Sequence, residues 1–211
     1  MKEYLAQNVK NVIILGHLGS GKTSLAESLI YTAGGLEKKG EVEKKNTVSD
    51  FTVEEQNRLS STSTGIVPVE FKNFKLNFLD APGADEFIGD IRHALRAASG
   101  AILVLDATKG VEVGAEKMWQ EIRRNQLPAI IFINKMDKEN VKFDEVLELI
   151  RTKLGKQAVP FCLPIGKKEE FSGFADIVEL KARIYDGHAS VDGEIFPDKM
   201  ERVQALRQDL I

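Results

Sequence analysis

Gly16-His17-Leu18-Gly19-Ser20-Gly21-Lys22-Thr23 decides how the rest of this 211-residue chain is read. It follows directly on an apolar run at 9–15 and leads into a helical pattern at 21–33, with Leu25, Leu29 and Ile30 on one face. The string fits the pattern of a phosphate-binding loop set between a strand and a helix. Each part has a chemical reason. Glycines let the backbone wrap until consecutive N–H groups point inward at phosphate oxygens. The helix that follows adds its N-terminal donors and the positive end of its dipole. Lys22 supplies a point charge between the β- and γ-phosphates, and the Thr23 hydroxyl a magnesium ligand. Gly19, Ser20, Gly21, Lys22, Thr23 and Ser24 are therefore expected to bind nucleotide.

Working outward, residues 66–71 and 76–79 read as strands joined by a turn at Lys72-Asn73. A helix through Ile91 and Leu95, an apolar strand at 101–105, a helix carrying Met118, Trp119 and Ile122, and a strand at 129–133 follow. Val146, Leu147 and Ile150 mark one more helix. All-apolar strands alternating with helices predict an α/β fold, with a mostly parallel sheet covered on both faces. Ligands of such sheets sit beyond the carboxyl ends of the strands. Residues 34–63 are too long and too charged for an ordinary connection, and are expected to be mobile or ordered by a ligand.

Two further motifs fall at strand ends. Asn134-Lys135-Met136-Asp137 follows the strand at 130–133. A carboxylate there suits guanine, whose Watson–Crick edge shows two N–H donors. Adenine would leave Asp137 unpaired, a mismatch worth a factor on the order of 10⁴. Lys135 is expected along the base, and Asn134 to tie the loop to the phosphate cradle. Asp80-Ala81-Pro82-Gly83 ends the strand at 76–79; Asp80 is expected to hold magnesium through a water, and the Gly83 N–H to sense a γ-phosphate. The three motifs in this order predict a site for GTP or GDP with Mg²⁺. A small kinase sharing only the phosphate loop would bind ADP as tightly as GDP, and Asp137 argues against it.

With these motifs in place, the chain resembles the translational GTPases, elongation factor G in particular, over nearly its whole length. The stretch from Asp50-Phe51 through Gly83 lies on that family's switch pattern without a gap, and the family's Arg-Gly-Ile-Thr-Ile falls on Arg58-Leu59-Ser60-Ser61-Thr62. The resemblance makes Ser61 the third magnesium ligand beside Thr23 and Asp80, a hydroxyl in place of the family's threonine. Leu163-Pro164-Ile165-Gly166, Phe171-Ser172-Gly173 and Asp176 look like the start of the subdomain that elongation factor G inserts in its G domain. This implies a G-domain core at 1–158 and the start of an inserted α+β subdomain at 159–211. Residues 191–195 would be a short strand there, and Met200, Val203, Leu206 and Leu210 one side of an amphipathic helix. The other reading of 163–166 is the Ser-Ala-type strand end that contacts the guanine carbonyl in a complete small GTPase. On the resemblance that element comes later, the chain is a fragment, and a missing last strand and helix would expose apolar sheet surface.

The departures matter as much. Gly19 replaces an aspartate that elongation factors often carry, so a monovalent-ion site there is in doubt. Ala84 stands where the family's Asp-x-Pro-Gly-His pattern has the histidine that positions the attacking water, so no catalytic residue is assigned. That pattern is similar to the paralogous branch called elongation factor G 2. Two functions follow: a GTP-hydrolysing switch on the ribosome, or a ribosome-associated factor in which binding alone matters. His17 is expected to point away from the phosphates and His93 to lie on a solvated helix face.

The bulk properties set the outer bounds. The chain is 43% hydrophobic and 29% charged with a net charge of -3, which gives no global basic footprint for DNA or RNA. Contact with ribosomal RNA would need a local patch or another part of a longer protein. No apolar run approaches the ~20 residues of a membrane helix. Cys162 is the sole cysteine, and the N-terminus lacks a secretory pattern; both suit the cytoplasm.

Overall fold

A computed structural model describes residues 2–166, 171–185, 190–195 and 197–210. They form two compact units, Met1–Asn134 and Lys135–Ile211. The first holds β1 (Val9–Gly16), α1 (Lys22–Thr32), α2 (Val53–Arg58), β2 (Gly65–Phe71) and β3 (Phe74–Asp80), followed by α3 (Ile88–Ala97), β4 (Gly100–Asp106), α4 (Val113–Arg124) and β5 (Ala129–Asn134). Its sheet runs β2-β3-β1-β4-β5, with β2 antiparallel to β3 and the remaining pairs parallel. Alternation along the strands sends Ile14, Val104, Phe78 and Val67 to the face where Ala26 and Ile30 of α1 pack. Ile13, Leu15, Leu103 and Leu105 are buried on the other face, against which α3 and α4 lie. β5 closes the sheet as an edge, and its Ile130 and Phe132 are 48% and 39% exposed.

The second unit comprises α5 (Phe143–Lys153), β6 (Cys162–Ile165), β7 (Gly173–Asp176), β8 (Lys181–Tyr185), β9 (Ser190–Gly193) and α6 (Pro197–Leu210). Its four strands form an antiparallel sheet in sequence order. Leu163, Ile165, Ala175 and Ala182 pack with Val203, Met200 and Leu206 of α6, and with Phe143 at the start of α5. β6 pairs with β7 and is no part of the parallel sheet, so Leu163-Pro164-Ile165-Gly166 does not extend that sheet as the complete-GTPase reading required. No helix among the described residues is long and apolar enough to cross a membrane.

Within residues 34–63, expected to be mobile or ordered by a ligand, α2 is held by local hydrogen bonds. Thr52 and Glu55 cap α2 reciprocally: the Thr52 hydroxyl accepts from Glu55 N at 3.2 Å, and the Glu55 carboxylate from Thr52 N at 3.3 Å. Glu55 also accepts from the backbone of Thr62 (3.1 Å) and Ser63 (3.2 Å), which draws the chain after α2 back onto it. Burial pushes the Glu55 pKa up, but these bonds outweigh it and hold the acid below the ordinary value. Leu59 ends α2 in the left-handed conformation, φ 52°, at the position of the family pattern's glycine.

Candidate functional site

The parallel register brings the carboxyl ends of β1, β3, β4 and β5 to one rim of the sheet. From β1 the chain turns through Gly19 (φ 78°) and Gly21 (φ 96°) into α1. A Cβ on Gly19 would meet nothing within 4 Å, whereas one on Gly21 would stand 2.3 Å from Asn134 Nδ2. Asn134, at the end of β5, donates that amide to Ser20 O at 2.9 Å, the tie anticipated between the base motif and the phosphate loop. Ser20 is fully buried and Ser24 exposed. Lys22 is 6% exposed and gives its ammonium to His17 O at 3.2 Å. Burial pulls its pKa below the usual lysine value, against the opposing pull of Asp80 and Asp50.

The three expected metal residues are in contact. Thr23 Oγ1 donates to Asp80 Oδ2 at 2.8 Å and lies 3.4 Å from Ser61 Oγ. Two residues to which the sequence assigned no role complete the cluster. Ser49 Oγ donates to Asp80 Oδ2 at 2.7 Å, and Ser61 Oγ to Asp50 Oδ1 at 2.7 Å. Asp50 lay at the start of the switch resemblance, but only burial shows that it faces inward. Asp80 Oδ1 and Asp50 Oδ2 are buried without a partner. Hard oxygen donors with two orphaned carboxylate oxygens fit magnesium. No group of three or more His, Cys, Asp or Glu side chains among the described residues could hold an ion, so hydroxyls and phosphate would have to supply the remaining ligands.

Burial pushes the Asp80 carboxyl up to about 6, with hydrogen bonds from Ser49 and Thr23 opposing it; burial raises Asp50 in the same direction against Ser61. The folded chain therefore binds a proton at Asp80 that the unfolded chain, with its pKa of 3.8, has released. Without metal, stability should fall as pH rises between those values, by on the order of 2–3 kcal/mol from Asp80, and stay level above. Melting in EDTA at about pH 5 and about pH 7.5 tests this. The wild type should melt higher at the lower pH, and Asp80→Asn should lose most of that difference.

Gly83 comes so close to the phosphate loop that a Cβ would stand 2.5 Å from Lys22 Nζ and 2.9 Å from Leu18 Cα. Ala84 begins the turn Asp85–Phe87 and brings no polar side-chain atom to it. The residues after it are held from two sides. Glu86 lies 3.6 Å from Arg58 of α2, and Asp85 pairs with Lys117 of α4. Asp90 of α3 accepts from Thr64 N at 2.7 Å and Thr64 Oγ1 at 2.5 Å. His17 Nε2 lies 3.5 Å from Glu112, and a Cβ on Gly114 would stand 2.3 Å from His17 Nδ1, so the imidazole faces the start of α4. His93 is exposed. Lys135, in the second unit, is left-handed (φ 62°) and accepts from Lys138 N at 3.2 Å. Asp137 is exposed, with Lys138 3.6 Å away.

A mostly parallel sheet carrying a strand–loop–helix phosphate cradle, Asp80 and Asn134 on one rim is the architecture of a P-loop GTPase G domain. The comparisons with known proteins agree. The family described as Elongation factor Tu GTP binding domain matches residues 7–202, and the chain belongs to it. Elongation factor G of Mycoplasma pneumoniae is 35% identical over 207 residues, 97% of this chain and 30% of that protein. Elongation factor G 2 of Syntrophomonas wolfei is 33% identical over 206 residues, 96% of this chain and 30% of the relative. A crystal structure from Thermus thermophilus superposes with a TM-score of 0.90 at 36% identity, covering 95% of this chain and 30% of its own. The chain is an elongation factor G-like G domain spanning about 30% of the length of these relatives.

Proposed function

We propose that this chain binds GTP or GDP with Mg²⁺ and that the γ-phosphate sets the positions of residues 34–63 and 80–87, as the switch of a cytoplasmic factor that acts on the ribosome through its full-length protein. The observation that carries the reading is the cluster of Lys22, Thr23, Ser61 and Asp80 beside the phosphate loop, with buried carboxylate oxygens left unpaired. Gly19 to Ser24 would cradle the phosphates, Gly83 N–H would meet the γ-phosphate, and Asn134, Lys135 and Asp137 would hold guanine. Thr23, Ser61 and Asp80 would hold magnesium, which neutralises charge on the phosphate oxygens when bound. Residues 159–211 belong, on this reading, to the inserted subdomain. Titration with GDP and with ADP in magnesium tests the proposal; GDP should bind at least 10³-fold tighter, on the scale of hydrogen-bond discrimination, and equal affinity would overturn it.

Ala84 favours a second reading, in which GTP binding alone carries the function and hydrolysis is very slow. Positioning supplies much of the rate in phosphoryl transfer, and alanine has no group to orient a water. GTP turnover by the full-length protein with and without ribosomes separates the two. Stimulation supports the hydrolysing switch, and its absence the binding factor. Ala84→His should raise turnover by about 10² if the missing imidazole is limiting; an unchanged rate removes that explanation.

A further inference from the structure

We propose that Glu27, in the second turn of α1, is a positioning residue for the magnesium side of the nucleotide site, acting through residues 40–50. The proposal rests on the reading that Thr23, Ser61 and Asp80 hold the metal. Glu27 follows Thr23 by four residues, which places the two on one face of the helix. Its side chain is fully buried, although the α1 face beside it packs apolar residues into the core. Among the described residues it has no lysine, arginine or histidine partner. A buried carboxylate without a cation is costly unless donors fill its lone pairs. Here both oxygens are filled by the polar segment that crosses it: Gly40 N donates to Oε2 at 3.0 Å and Val48 N to Oε1 at 2.5 Å.

The second of these bonds reaches the metal cluster. Ser49 and Asp50 follow Val48 directly, and they are the residues that meet Asp80 and Ser61. A residue spans at most ~3.6 Å, so fixing the Val48 amide fixes where those two side chains arrive. Gly40 closes the segment from its other end. A Cβ there would stand 2.6 Å from Glu27 Oε2 and 2.7 Å from Asn46 O, so only glycine permits the approach. Glu55, a further buried acid of this region, takes its bonds from Thr52, Thr62 and Ser63. It shapes the segment internally, whereas Glu27 fastens it to the helix that carries Lys22 and Thr23.

Glu27→Gln keeps the shape but turns an NH₂ toward one of the two amides, replacing one bond by two opposed donors. In the nucleotide-free 211-residue chain, hydrogen exchange at Gly40 and Val48 should quicken at least tenfold while that of β1 and β4 stays unchanged. Gly40→Ala attacks the same contact without touching α1, and should do the same if Glu27→Gln folds poorly. The magnesium concentration that half-maximally slows release of labelled GDP should rise several-fold in either variant, with release in EDTA unaltered. A merely structural helix residue would weaken GDP retention equally with and without metal, and that result overturns the proposal. Unchanged exchange in both variants also overturns it. A wild-type chain that retains no GDP overturns the nucleotide reading itself, a failure told apart by the exchange measured without nucleotide.

Discussion

Lys22→Ala should leave a folded chain that has lost most of its affinity for GDP–Mg²⁺, by a factor of roughly 10² to 10³. The ammonium is nine-tenths buried in a rim that offers it one backbone carbonyl, His17 O, and the longer-range attraction of two acids. A desolvated cation so thinly partnered contributes little to holding the fold together. Its worth appears when phosphate oxygens arrive, because charge-assisted bonds in a site shielded from water contribute about 1.5–3 kcal/mol each. Two such bonds in the lower half of that range account for the stated factor. Isothermal titration with GDP in magnesium measures it, with circular dichroism as the folding control. A loss below about tenfold would mean that the phosphates lie elsewhere.

Gly21→Ala should cost affinity on a similar scale and stability as well. At φ 96° an L-residue is strained by about 1–2 kcal/mol. The new methyl would also stand 2.3 Å from Asn134 Nδ2, so the amide must leave Ser20 O and the end of β5 loses its hold on the phosphate loop. Together these should lower unfolding free energy by about 2–4 kcal/mol and weaken GDP by at least about 10². Gly19→Ala is the matched control. It is left-handed too, but a Cβ there meets nothing within 4 Å, so only the conformational cost remains. Urea unfolding and GDP titration of the pair check the argument; equal losses would show that the contact with Asn134 is idle.

The parallel sheet was legible because β1, β4 and β5 are apolar runs between helical patterns, a signal that burial on both faces explains in β4 but not in the edge strand β5. The phosphate loop and Asp80 were legible because their chemistry demands residue types at fixed spacing. In residues 34–63 the polar composition hid which groups meet, because polar partners distant in sequence leave no pattern. The order there comes from hydrogen bonds to acids. The Thr52–Glu55 capping pair is local, whereas the reach of Glu55 to Ser63, of Glu27 to Val48 and of Ser49 to Asp80 joins residues without a regular spacing and leaves no periodicity. β7 and β8 were hidden for a related reason. Short strands such as Gly173–Asp176, with Gly173 pressed against Arg183 O, carry too few apolar positions to show alternation.

The way residues 34–63 are anchored also fixes how that segment responds to heat. Its buried residues are Gly40, Thr47, Ser49, Asp50, Glu55 and Ser61, none of which has a large apolar side chain. Heat capacity changes with the apolar surface newly exposed to water, and opening this segment frees only the half-buried Leu36 and Val48 from the core. The α1–sheet core, with Ile14, Ile30, Phe78 and Val104, carries the apolar surface and hence the curvature of the stability profile. Opening of the segment should therefore be a local event with a weakly curved temperature dependence, separate from the cooperative melting of the sheet beneath it. The balance between its closed and open forms is set by hydrogen bonding to Glu27 and Glu55 and by proton occupancy at Asp50 and Asp80, with a smaller apolar contribution from Leu36 and Val48.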